Sequence, residues 1–100
     1  MENSTKVIFR KWNGKEGTVF AIFPEEPATD DPSYCYACAH KGGSGACLDH
    51  VAIKRSRLAT AEEYADLQSE LESRGYNLKI IQRVPPTAYE TRRQAILSPE

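Results

Sequence analysis

Apolar and polar positions alternate over residues 6–12, placing Val7 and Phe9 on one side of an extended chain and Ile8, Arg10 and Trp12 on the other. Asn13-Gly14-Lys15-Glu16-Gly17 follows, and its glycines suit a hairpin loop. The returning arm, residues 18–23, is apolar on both sides and meets Pro24, which predicts a central strand that stops at the proline. Residues 24–32 hold three prolines and four carboxylates and read as a solvated loop. A third strand is expected over residues 33–40, with Tyr34, Tyr36, Cys38 and His40 on one face and Cys35, Ala37 and Ala39 on the other. Lys41 to Gly45 reads as a flexible connector. Residues 46–58 carry no period that favours either strand or helix.

The period then changes. Thr60-Ala61-Glu62-Glu63 matches a capping box, in which the threonine hydroxyl accepts from a backbone N–H and the glutamate reaches back. Tyr64, Leu67 and Leu71 form an apolar stripe opposite Glu62, Asp66 and Glu70, and Gly75 suits the left-handed residue beyond the last turn. A further strand is expected over residues 77–84, with Leu78, Ile80 and Val84 on one face and Pro85-Pro86 as its stop. A second capping-box match, Thr87-Ala88-Tyr89-Glu90, allows a short helix in a tail that is otherwise free to fray. The order β-β-β-α-β predicts an α+β domain over residues 1–86, followed by a tail at 87–100. Its mainly antiparallel sheet has about four strands, with one principal helix packed on one face. If the third strand is parallel to the first, the helix returns the chain so that the last strand is parallel to both.

Composition adds limits. With 100 residues, 40% of them hydrophobic and 27% charged, the chain fits a single small core and not a disordered segment. A formal charge of −1 supplies no overall positive field of the kind that typifies non-specific nucleic-acid binders. No apolar run reaches the roughly 18 residues of a membrane span, and the N-terminal residues lack the pattern of a secretory signal, so the cytoplasm is the expected compartment. The odd count of three cysteines agrees with that expectation.

All three cysteines and both histidines fall between Cys35 and His50. Cys35-x2-Cys38-x8-Cys47-x2-His50 has the ligand types for tetrahedral zinc, and its glycine-rich connector suits a metal loop. Against this, Tyr36-Ala37 reads as strand, where residues three apart point to opposite faces, so the Cys35 and Cys38 thiolates diverge. Packing by small buried side chains is the preferred reading, with no metal and no cofactor expected. A redox dithiol at Cys35-x-x-Cys38 lacks the helix N-terminus that ordinarily lowers a thiol pKa. A Cys-His hydrolase from Cys35 or Cys47 with His40 or His50, oriented by Asp49, has the residue types without a motif. The loop Lys41-Gly42-Gly43-Ser44-Gly45 lacks the Gly-Lys-Ser/Thr ending of a phosphate cradle. No catalytic residue is assigned. Two charged groups remain as candidate contacts: the ridge Glu62, Asp66 and Glu70, and the basic cluster Lys54, Arg55 and Arg57.

Several segments carry a resemblance: Val7-Ile8-Phe9-Arg10-Lys11, Phe20-Ala21-Ile22-Phe23-Pro24, Tyr36 to His40 with Gly42 and Gly45, Ala59 to Leu67, and Gly75-Tyr76-Asn77-Leu78. Over residues 6–84 the chain resembles a group of small uncharacterised bacterial proteins associated with phages, plasmids and integrated elements. The shared motifs are structural. The group keeps the position of His40 and the following glycines more than a full cysteine set, so Cys38 and Cys47 depart from its pattern. The resemblance implies a mobile-element accessory factor. Together with the missing active-site motif, it leads to the expectation of a non-enzymatic, cytoplasmic protein-binding factor that masks a partner surface. The alternatives are a small zinc-binding domain on Cys35, Cys38, Cys47 and His50, or a nucleic-acid module on Lys54, Arg55 and Arg57.

Overall fold

In the computed structural model, which describes residues 4–14, 17–39 and 44–97, the chain is an α+β fold built on a six-stranded sheet. Strands β1 (Thr5–Trp12) and β2 (Val19–Pro27) form the expected antiparallel hairpin, with Phe9 opposite Ala21 and Arg10 opposite Phe20. Strand β3 (Tyr34–Ala39) adds antiparallel to β2, and β4 (Ser44–Leu48) adds antiparallel to β3. Helix α1 (Asp49–Lys54), β5 (Ser56–Leu58), α2 (Ala61–Ser73), β6 (Leu78–Ile80) and α3 (Ala88–Leu97) complete the order.

The sheet runs β4-β3-β2-β1-β5, and β6 also pairs with β1. Two short strands therefore share one edge of β1: β5 lies antiparallel along residues 10–12, and β6 lies parallel along residues 5–7. The parallel return after the long helix is as expected, and it falls beside β1.

Apolar residues are buried on both faces of the sheet. On one, Val7, Phe9, Ala21, Phe23 and Cys38 pack under Leu67 and Leu71 of α2, with Phe9 stacked on Tyr64 at 4.3 Å between centroids. On the other, Ile8, Phe20, Ile22 and Cys35 pack with Ala52 of α1. Alternation on β1 and double-sided burial of β2 thus follow their sequence patterns.

Helix α2 starts and stops where its sequence says. The Thr60 hydroxyl accepts from the Glu63 N–H at 3.2 Å, and the Glu63 carboxylate accepts from the Thr60 N–H at 2.9 Å. At the other end, the Gly75 N–H donates to Glu72 O and the Tyr76 N–H to Leu71 O, with Gly75 at φ +100°. This is the paired bonding of a Schellman turn, in which a left-handed residue is needed.

The expected sheet of about four strands is extended to six among the described residues, and both of its faces are covered, because the unassigned stretch 46–58 supplies most of β4, a second helix and β5. Other expectations are corrected. Pro24 does not stop β2. Pairing to β3 jumps from Phe23↔Tyr36 to Pro27↔Cys35, so the missing proline N–H falls in the irregular step. The expected strand over 77–84 is strand only at 78–80, and its face assignment fails. Leu78 packs on the α2 side, Ile80 is exposed, and Ile81 and Val84 pack on the α1 side once pairing to β1 ends.

The tail is a ten-residue helix docked on β2. Arg92, buried in α3, donates through Nε to Pro32 O at 2.6 Å and through Nη1 to Pro24 O at 2.5 Å. His40 and the loop residues Lys41, Gly42 and Gly43 lie outside the described residues.

Candidate functional site

The cysteines are separated by the pleat. Cys35 belongs to the apolar cluster on the α1 face and Cys38 to the cluster on the α2 face. Burial pushes the Cys38 thiol up, with Glu70 adding to the effect and Arg74 opposing it, so this group stays protonated and unreactive at neutral pH. Cys47 stands directly across from Cys35 in the β3–β4 register, with the two sulfurs 3.8 Å apart. His50 is exposed on α1. The proposed zinc quartet therefore does not converge, since Cys38 faces the opposite side of the sheet. Among the described residues no three metal-ligating side chains form a group. The Cys35-x-x-Cys38 segment is strand throughout and does not itself open a helix.

The charged candidates are redistributed as well. Arg57, on β5, turns to the α2 side, where its guanidinium bonds both oxygens of Glu63 at 2.9 and 2.7 Å, and Lys11 reaches the same carboxylate at 3.3 Å. Hydrogen bonds from Arg57, the Thr60 backbone and Lys11 hold Glu63 far below the usual carboxylate range. Arg57 is thereby removed from Lys54 and Arg55, which end α1 on the other side, and the basic trio does not form one patch. The acidic ridge is also reduced. Glu62 and Asp66 are exposed, whereas Glu70 is engaged by Arg74 one turn along.

A different group assembles on the α1 face. Residue 10 alternates inward with Ile8, so the strand buries a guanidinium beside apolar neighbours; Arg10 is 8% exposed. Its Nε donates to Ser56 Oγ at 2.6 Å, and its Nη2 donates to Ser56 O at 2.8 Å and Ile53 O at 3.3 Å. Ser56 Oγ passes its own hydrogen to Ala52 O at 2.5 Å. These bonds tie β1 to α1 and β5. They also aim the guanidinium into a cleft of about 450 Å³ walled by Ile53 and Val84 and edged by His50, Lys54, Gln82 and Arg83. Two neighbouring depressions extend this surface, one past Lys54 to Arg55 and the other past Arg83 to Lys79.

The electrostatics of this cleft are one-sided. No carboxylate among the described residues pairs with Arg10, Lys54, Arg55, Lys79 or Arg83. Burial lowers the Arg10 pKa, but a guanidinium remains a cation at neutral pH. Among the described residues its Nη1 has no hydrogen-bond partner, and it is not a buried unsatisfied atom, so this N–H group keeps some contact with solvent where Arg10 lines the cleft.

Of the residues singled out from the sequence, the cleft takes Lys54, His50 and, at its margin, Arg55. Arg10 and Arg83 were not singled out. A signal for Arg10 was present, since an arginine on the inward side of an alternating strand needs a polar destination. Arg83 lay within an expected strand, where nothing marked it. Comparison with protein-family models, curated proteins and solved structures finds no match for this chain.

Proposed function

We propose that this chain is a small non-enzymatic binding protein that holds an acidic segment of a protein partner in the cleft between α1 and residues 82–84, and so masks that part of the partner. The observation that carries this reading is the buried Arg10 guanidinium, which lines the cleft with no carboxylate partner among the described residues. A buried cation without a counter-charge is costly. A carboxylate entering the cleft relieves that cost and gains charge-assisted hydrogen bonds from Nη1, with Lys54 and Arg83 at the rim.

Peptide is favoured over nucleic acid for two reasons. The cations are separated by the apolar walls Ile53 and Val84, which suit a side chain flanking a carboxylate. The whole chain is formally −1, with Glu62 and Asp66 exposed on α2, so a long polyanion gains only local attraction. The acidic ridge is the weaker contact candidate, because Glu70 is already neutralised by Arg74. The resemblance to phage- and plasmid-associated proteins supplies the proposed setting, an accessory factor of a mobile element.

The test is fluorescence anisotropy with a labelled Glu-rich peptide containing interspersed leucines. Reversing Lys54 and Arg83 to Glu is expected to weaken binding at least about tenfold, equivalent to roughly 1.4 kcal/mol. Reversing Glu62 and Asp66 to Lys leaves it unchanged or strengthens it. Equal binding by the cleft-reversed variant, or tighter binding of an oligonucleotide of the same charge, contradicts the proposal.

A further inference from the structure

Cys35 and Cys47 are opposed across the antiparallel β3–β4 pair, and the flanking pairs Tyr34↔Leu48 and Tyr36↔Ala46 fix their register. Directly opposed residues in such a ladder have Cα atoms about 4.5 or 5.5 Å apart, and either spacing falls within the roughly 4.4–6.8 Å spanned by disulfides. The sulfurs are 3.8 Å apart. Closing them to a bond of about 2.05 Å therefore asks for side-chain rotation and no change of strand pairing.

Access is unequal. Cys35 is fully buried, whereas Cys47 is half-buried and lines a shallow depression of about 200 Å³ beside Trp12, Phe20 and Ala39. Cys38, the third thiol, also borders this depression but packs in the cluster on the α2 side, on the opposite face of the sheet from Cys35.

We propose that Cys35 and Cys47 form a reversible disulfide that clips the edge strand β4 to β3, with a low-molecular-weight disulfide as oxidant. The Cys47 thiol loses its proton to solvent, and its sulfur attacks one sulfur of the oxidant RSSR, breaking that S–S bond and expelling RS⁻. The Cys35 thiol then gives up its proton to solvent, and its sulfur attacks Cys47 Sγ in the mixed disulfide, expelling the second RS⁻. Two protein thiols lose two electrons, RSSR gains them, and the two protons released reappear on two RSH. This inference is independent of the cleft. It rests on the register and the sulfur separation alone.

The experiment incubates the full chain with oxidised and reduced glutathione at graded ratios, then maps peptides by mass spectrometry and records melting temperature. A peptide cross-linked through Cys35 and Cys47 is expected, reversed by dithiothreitol, with a mass decrease of two hydrogens and a rise in melting temperature of several degrees. Cys38→Ser keeps both signatures, and Cys47→Ser loses both. Because Cys47 is only half-buried, Cys47→Ser tests the bond even if Cys35→Ala fails to fold. Glutathione retained on Cys47 as a stable adduct, a link through Cys38, or thiols that stay reduced across the whole range overturns the proposal.

Discussion

Two single residues fix local structure, one through what its side chain binds and one through having none. Glu63 caps α2, accepts both arms of Arg57 and meets Lys11, joining the helix start to β5 and β1. These bonds depress its pKa below the unfolded value. The stability it contributes is therefore complete above the ordinary carboxylate pKa and is lost as pH falls toward the folded one. Glu63→Gln should lower the melting temperature at neutral pH, with the gap from wild type closing on acidification and narrowing with added salt, because the Arg57 side of the pair is exposed. A gap independent of pH would assign Glu63 to shape alone. Gly17 is constrained differently. A Cβ there would lie 2.1 Å from Trp12 O, so the hairpin closes where only glycine leaves room. The glycine was legible as a turn signal, but the close backbone approach behind it was not.

At the scale of elements, legibility follows length and period. Helix α2 carries more than three turns of apolar stripe with both caps encoded nearby, and β1 alternates over its full length, so each could be read directly. Leu67 and Leu71 are fully buried under Tyr64, against Phe9 and Phe23. Either leucine changed to alanine should cost about 2–5 kcal/mol, while Asp66→Ala, on the exposed side, should move stability by less than about 0.5 kcal/mol. Chemical denaturation measures all three, and equal midpoints would place the wrong face against the sheet. The stretch 46–58 resisted reading for a physical reason. Strand β4 is Ser-Gly-Ala-Cys-Leu, which has little intrinsic strand preference and is held by β3. Helix α1 has six residues and no side-chain N-cap, too short to persist alone. It is ordered by Ala52 in the core and by Ser56 and Arg10 at its end. Elements made by tertiary contact leave little periodic signal.

At the scale of the molecule, the two faces of the sheet differ in what they offer. The α2 face is closed by a capped helix, and Arg57 of β5, which turns to that side, is already paired with Glu63. The α1 face carries a six-residue helix and the turn after β6, and between them it leaves a cleft with Arg10 beneath and Lys54 and Arg83 at its rim. The basic cluster of the sequence, Lys54 to Arg57, was legible as charge but not as geometry. Strand alternation at β5 sends Ser56 toward Arg10 and Arg57 to the other side. No described helix is long and apolar enough to cross a membrane.

The central claim is that the uncompensated Arg10 cleft receives carboxylates from a partner. The most direct measurement is a ¹H–¹⁵N NMR titration of the full chain with the Glu-rich peptide, following the Arg10 Nε–H resonance and the amides of residues 50–54 and 82–84. Saturable shifts confined to those signals, abolished by reversal of Lys54 and Arg83 and weakened by salt, are the predicted result. Shifts centred on residues 61–73, or an Arg10 Nε–H signal that stays fixed while the peptide binds, would contradict it.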